Sequence, residues 1–273
     1  MIFEIIAKDE NVTLSCYILD RQPDPDCRPP RPAVIICPGG AYSFCSDREG
    51  EAVALRMAAA GFHAFVLRYT VAPPAPLWPR PLLDAAWAVD LVRGRATLWH
   101  IRPDALFLLG FSAGGHAAAS LGVHWNSPEV LEKFESPRPD GLILCYPVIT
   151  SDEKSHELSM ENLTGGETGL LALAKLEDFA GAHTPPAFIW HTFADEAVPV
   201  ENSLRFATAL RAHGVPFELH IFPQGAHGYS LAVAETGRPD LPPDPHIASW
   251  LPLCLQWIEL NAGSNGGGAN ENG

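Results

Sequence analysis

Five residues, Gly110-Phe111-Ser112-Ala113-Gly114, have the Gly-x-Ser-x-Gly spacing of a serine nucleophile set on a sharp turn. A serine hydroxyl attacks poorly until a base takes its proton, and the base needs an acid to hold its tautomer. Leu106-Phe107-Leu108-Leu109 ahead of the motif reads as a buried strand, and the small residues Gly115 to Leu121 behind it as a helix. Strand, turn and helix together are the context such an elbow requires. The flanking glycines have a steric purpose, because a Cβ on so tight a turn would meet the neighbouring strand or helix. The plainer reading is a glycine-rich turn with an incidental serine. A dinucleotide loop would need Gly-x-Gly-x-x-Gly, which is not present here.

The acid and base must lie on loops at the carboxyl ends of later strands, where open α/β sheets gather their ligands. Two loops qualify. Thr192-Phe193-Ala194-Asp195-Glu196 follows the apolar run Ala187–His191, and Pro223-Gln224-Gly225-Ala226-His227-Gly228-Tyr229 follows Phe217–Phe222. Asp195 is favoured over Glu196 as the acid because it sits nearer the strand end. His227 lies among small residues that let a loop bring its ring to another strand's terminus. Of the eleven histidines, His191 and His220 fall within strands and read as core or strand-edge residues. His213 sits at a helix C-terminus, where a positive charge is favourable. His116, on the nucleophile helix, is expected to pack against the sheet or to hydrogen-bond locally.

Acyl transfer also needs donors for an oxyanion. The N–H of Ala113 is one, and the loop Pro38-Gly39-Gly40-Ala41-Tyr42 after an earlier strand supplies the other, from Gly40 or Ala41. The aromatics Tyr42, Phe44, Trp78 and Tyr229 lie near these loops, and no individual role is assigned to them. No His-x-x-x-His or carboxylate cluster of ligand spacing is seen, so neither a metal nor another cofactor is expected.

The elements that must carry these residues alternate. Residues 2–7 and 12–19 read as a hairpin, followed by a proline-rich loop over 20–32 and a buried strand at 33–37. A helix over 49–60 precedes a strand at 63–69. The prolines between 73 and 81 lead into a helix over 82–99, then the elbow strand and its helix. Strands at 142–146 and 187–191, a helix over 201–213, a strand at 217–222 and a helix over 246–260 complete the chain. This pattern predicts an α/β fold, a central mostly parallel sheet of about eight strands with helices on both faces. Residues 1–262 are expected to form one domain, with 150–185 as a small cap-like insertion containing a helix over 169–179, and residues 263–273 as a disordered tail.

A chain of 273 residues, 47% hydrophobic, can bury one large core. Its formal net charge of −14 argues against nucleic acid or an anionic membrane as partner. The N-terminus lacks a basic segment and an apolar run of signal-peptide length, and nothing approaches a membrane span, which predicts a cytoplasmic protein. The six cysteines form no C-x-x-C pair and read as buried thiols. Cys37 and Cys45 flank the glycine loop, where a disulfide or reactive thiol is the less favoured alternative.

The stretch Val34–Tyr42, then Arg48-Glu49-Gly50-Glu51 and Phe65–Tyr69, resembles the bacterial acetyl esterases related to acetylxylan esterases, often labelled endo-1,4-β-xylanase B-like, in the α/β-hydrolase superfamily. Gly110–His116, Pro185–Thr192 with Asp195, Val198–Ser203 and Gly225–Gly228 match the same family's elbow, acid loop and histidine loop, so the likeness spans about residues 30 to 260. The resemblance implies a serine carboxylic ester hydrolase acting on a small acylated substrate, acetylated sugars or xylo-oligosaccharides foremost. It implies Ser112 as nucleophile, His227 as base, Asp195 as acid, and Gly40, Ala41 and Ala113 around the oxyanion. Pro38 departs from the histidine common in the wider superfamily, and Ala41 from its glycine. The xylanase label does not imply glycoside cleavage, since no acid pair for that reaction is identified. A prolyl-oligopeptidase-like peptidase, disfavoured because nothing reads as a propeller, or a formamidase is the alternative, and a non-catalytic binding protein of the same fold is a more distant one.

Overall fold

The computed structural model describes residues 1–20 and 29–262. Cys27, most of the expected proline-rich loop and the expected tail from residue 263 lie outside them. Eight strands form one sheet: β1 (Ile2–Ala7), β2 (Thr13–Ile18), β3 (Arg31–Cys37), β4 (His63–Arg68), β5 (Ile101–Phe111), β6 (Gly141–Cys145), β7 (Ala187–Thr192) and β8 (Phe217–Phe222). Their spatial order is β1-β2-β4-β3-β5-β6-β7-β8. β2 runs antiparallel to both its neighbours, β1 and β4, and every other pairing is parallel. The α/β-hydrolase expectation of a mostly parallel sheet with helices on both faces holds.

The near-continuous apolar runs of β3, β5, β6 and β7 follow from burial on two faces. Along β3, Ala33, Ile35 and Cys37 join the core beneath helices Arg80–Gly94, Ala113–His124 and Glu201–Ala212. Val34 and Ile36 face the opposite core, built from Val53 and Met57 of helix Glu51–Ala59 and from Trp250, Trp257 and Ile258 of the closing helix. A one-residue register slip would exchange these two sets, so the alternating volumes pin the strand.

Boundaries differ from the sequence expectation where local chemistry intervenes. The helix expected over 82–99 starts at Arg80 with Pro81 in its first turn, a position that needs no N–H donor. It is interrupted at Arg95, and His100, at φ 58°, turns the chain into β5. The closing helix is also divided: Asp244 accepts from His246 N and Ile247 N to cap a short turn, and the long helix begins at Trp250. The 169–179 helix is shorter, Thr168–Leu173, followed by a 3-10 turn at Leu176–Asp178. A helix the sequence reading did not foresee, Glu157–Thr164, packs ahead of it and is capped by the His156 side chain. The cap position itself holds His156, not one of the favoured N-cap residues, and Ser155 stands one position too early to fill that role. Among the described residues, no helix is long and apolar enough to cross a membrane.

Candidate active site

β5 ends at Phe111, and Ser112 stands at φ 52°, ψ −118° as the cap of helix Ala113–His124. The strained turn is held by its neighbours. Ser112 N donates to Cys145 O at 3.0 Å, and Ser112 O accepts from Val148 N and His116 N. A Cβ added at Gly110 would lie 2.2 Å from Gly114 O, and one at Gly114 would lie 2.1 Å from Cys37 O. The two motif glycines therefore exist so that the elbow can close on itself and press against the end of β3.

The loops after β7 and β8 bring Asp195 and His227 to this serine. His227 Nε2 lies 2.8 Å from Ser112 Oγ, and His227 Nδ1 lies 2.6 Å from Asp195 Oδ2. Glu196, the rival acid, is exposed. Asp195 is buried, which alone would push its carboxyl up, but hydrogen bonds from His191, His227 and Val198 N hold it well below the usual carboxylate range. An ionised carboxylate can only accept. The proton between the two residues therefore sits on His227 Nδ1, leaving the Nε2 lone pair facing the Ser112 hydroxyl.

Asp195 has more partners than the sequence revealed. Its Oδ1 accepts from Ala197 N and Val198 N at 3.0 and 2.9 Å. His191, expected to be an ordinary strand residue, lies with Nε2 3.3 Å from Asp195 Oδ2 and 2.9 Å from Val198 O. Both are acceptors, so Nε2 carries the proton, and Nδ1 accepts from Ser203 Oγ at 2.8 Å. A histidine four residues before a candidate acid is the signal that could have found it.

The loop carrying Gly40 and Ala41 is fixed from several sides. Gly40 has φ 130°, and Ala41 and Tyr42 follow at 54° and 59°. Consecutive non-glycine residues in that region cost strain and need support. Tyr69 Oη donates to Pro38 O at 2.6 Å, Glu49 Oε2 accepts from Gly39 N at 2.8 Å, and Asn162 Nδ2 donates to Ala41 O at 2.9 Å. His116, expected to pack against the sheet or to hydrogen-bond locally, joins segments distant in the chain: its Nδ1 lies 2.8 Å from Tyr42 Oη and its Nε2 2.9 Å from Ala174 O. On the other side of the serine, Ala113 opens a helix, where the first N–H groups have no intrahelical acceptor.

Glu49 is the largest omission of the sequence reading. It is buried, and its Oε1 accepts from Tyr146 Oη at 2.6 Å while Tyr146 Oη accepts from Ser230 N at 2.8 Å. Burial pushes its carboxyl up, against the lowering effect of these donors. Tyr146 also packs edge-on to His227 with ring centroids 5.1 Å apart. One carboxylate thus joins the glycine loop to the segment just beyond His227.

These groups surround a cavity of about 210 Å³ whose lining includes Gly40, Ala41, Phe44, Ser112, His156 and His227. Of the four aromatics near the loops, only Phe44 lines it. Tyr42 and Tyr229 are buried, and Trp78 packs edge-on to His124. Cys37 and Cys45 are free thiols, and burial raises Cys37 and pushes Cys45 up to about 11, so neither is an activated thiolate. Among the described residues, no group of three or more His, Cys, Asp or Glu side chains is placed to hold a metal ion.

A nucleophile elbow on the fifth strand, with an acid and a histidine after the seventh and eighth, marks a class of protein. The chain belongs to the alpha/beta hydrolase fold family, whose signature matches residues 34–187. Residues 151–237 also match the prolyl oligopeptidase family. The chain is 41% identical over 211 residues to an endo-1,4-beta-xylanase B of Butyrivibrio fibrisolvens, covering 74% of this chain and 33% of that one. It is 32% identical over 234 residues to an acetylxylan esterase of Xylanibacter ruminicola, covering 83% of this chain and 45% of that one. The chain thus spans less than half the length of these two relatives. Among solved structures, an acetyl ester-xyloside bifunctional hydrolase from Caldicellulosiruptor lactoaceticus superposes with a TM-score of 0.80 at 40% identity, covering 92% of this chain and 88% of that one. A carboxylesterase from Lactobacillus plantarum superposes with a TM-score of 0.87 at 29% identity, covering 96% and 98%.

Proposed function

We propose that the protein is a serine carboxylic ester hydrolase that removes acetyl groups from acetylated sugars or xylo-oligosaccharides through an acyl-serine intermediate. The observation that carries this reading is the unbroken line Ser112 Oγ, His227 Nε2, His227 Nδ1, Asp195 Oδ2, with contacts of 2.8 and 2.6 Å. Ser112 attacks the ester carbonyl while His227 takes its proton, and Asp195 stabilises the imidazolium that forms. The tetrahedral oxyanion is held by N–H groups of Ala113 and of Gly40 or Ala41. Collapse transfers the proton from His227 to the departing alkoxy oxygen and leaves an acetyl-serine. Water then attacks that ester with His227 again as base, releasing acetate.

The choice of acetyl rests on the relatives named above, whose names carry acetylxylan esterase and acetyl ester-xyloside hydrolase activities. Residues 1–262 are read as a single catalytic domain, a reading supported by one sheet that takes in strands from Ile2 to Phe222. The match of residues 151–237 to the prolyl oligopeptidase family keeps an amide-cleaving alternative in view. Rates on short aryl acetates, acetylated xylo-oligosaccharides and aminoacyl amides, measured side by side, separate the two. Acetate release with no amide cleavage supports the proposal, and faster cleavage of the amides contradicts it.

A further inference from the structure

His156 lines the same cavity as Ser112 and His227, yet the reaction written above does not use it. It is the residue just before helix Glu157–Thr164, in the segment between β6 and β7. Its Nδ1 accepts from Ser159 N at 3.3 Å and meets Ser159 Oγ at 2.8 Å. A backbone N–H can only donate, so Nδ1 is unprotonated and the neutral ring carries its proton on Nε2. That Nε2–H makes no hydrogen bond to any described residue and is not sealed from solvent. The ring lies nearly parallel to that of His227, at 15° with centroids 6.4 Å apart. Burial and the neighbouring His227 push the His156 pKa down, against a smaller raising effect of Asp195.

The side of the cavity follows from the chemistry. His227 must hand its proton to the departing alkoxy oxygen, so the alcohol part of the ester lies against His227, and the oxyanion donors lie across from it. The His156 ring, stacked beside that of His227, lies at that end of the cavity. We infer that His156 is a specificity-determining residue whose Nε2–H donates to a hydroxyl oxygen of the alcohol moiety, selecting polyhydroxylated leaving groups such as sugars over those with no neighbouring hydroxyl. This rests on the ester-hydrolase reading above and names the group that would read its substrate.

Two substitutions divide the two nitrogens. His156→Asn keeps an acceptor at the Nδ1 position, and asparagine is a good helix cap, while the outer donor is lost. His156→Gln places an amide N–H near the Nε2 position. The measurement is kcat/KM for acetate release from an acetylated xylo-oligosaccharide divided by kcat/KM for phenyl acetate. The expected result is a ratio lowered roughly tenfold or more in His156→Asn and largely restored in His156→Gln. A ratio unchanged in His156→Asn, or lowered equally in both variants, overturns the inference while wild-type hydrolysis leaves the ester-hydrolase reading standing. Wild-type protein that releases acetate from neither substrate overturns both.

Discussion

His191 and His227 approach a single oxygen, Asp195 Oδ2, at 3.3 and 2.6 Å. Only His227 also reaches Ser112, so His191 acts through the carboxylate, holding its orientation and its charge. His191→Phe is expected to lower kcat by about tenfold with little change in KM, and to leave Val198 O and Ser203 Oγ without their ring partner at a cost of about 1–3 kcal/mol in stability. Steady-state kinetics with a denaturant melt checks this. Wild-type kcat in a destabilised protein would assign His191 a purely structural role.

Asp195→Asn should be far more damaging than His191→Phe. An amide in place of the carboxylate can present N–H to His227 Nδ1, which drives the proton to Nε2 and removes the lone pair that faces Ser112. A loss of about 10⁴ in kcat is expected, with the fold retained. Activity within tenfold of wild type would show that Asp195 does not set the tautomer.

Gly40 has φ 130°, and a Cβ there would meet Phe44 O at 2.1 Å. Gly40→Ala must therefore displace the loop that carries the proposed oxyanion donors. The expected loss is about 10²–10³ in kcat, read with an aryl acetate, alongside a smaller rise in KM. A variant with unchanged kcat would move the oxyanion donors away from this loop.

Glu49→Gln tests the link between the two loops. The amide retains one acceptor, so either Gly39 N or Tyr146 Oη loses its partner, at about 1–3 kcal/mol for a buried donor. Glu49→Ala strips both donors of their partner. Activity and melting temperature should both fall in the order wild type, Gln, Ala. If Glu49→Ala melts like wild type, the link contributes nothing to the fold.

Acid should weaken the protein through His116, which burial pushes down to about 4 from a model-peptide 6.5. The folded state binds this proton less readily than the unfolded chain does. Stability from the neutral ring is therefore intact above pH 6.5 and is lost as the pH falls towards 4, by about 3 kcal/mol in all. Denaturant melts across that window should show the decline, and His116→Gln should make it shallower. An unchanged slope in the variant would place the acid sensitivity elsewhere, with His63, also pushed down to about 4 by burial, the next group to substitute.

How much of this was legible in the sequence depends on the range over which each feature is specified. The elbow is written in neighbouring residues, so its glycines, its serine and the flanking strand and helix are visible at once. Asp195 and His227 could be found because the strands ahead of them are strongly apolar and their loops follow immediately. Glu49 could not be placed the same way. Its partners, Gly39 and Tyr146, are ten and ninety-seven residues away, and only the closed sheet makes that acid buried. His156 caps, and Asn162 lies within, a helix whose cap position holds a histidine; Ser155 one residue earlier and Glu157 in the first turn were too weak to mark its start, and with the helix went the segment's reach to Ala41 and His227.

The central claim is that Ser112 is the ester-attacking nucleophile, and acetate release from acetylated xylo-oligosaccharides by wild type and Ser112→Ala tests it most directly. The account predicts turnover by the wild type and a loss of about 10⁴ or more in kcat for a variant that folds normally. Acetate release by Ser112→Ala within severalfold of wild type would contradict it.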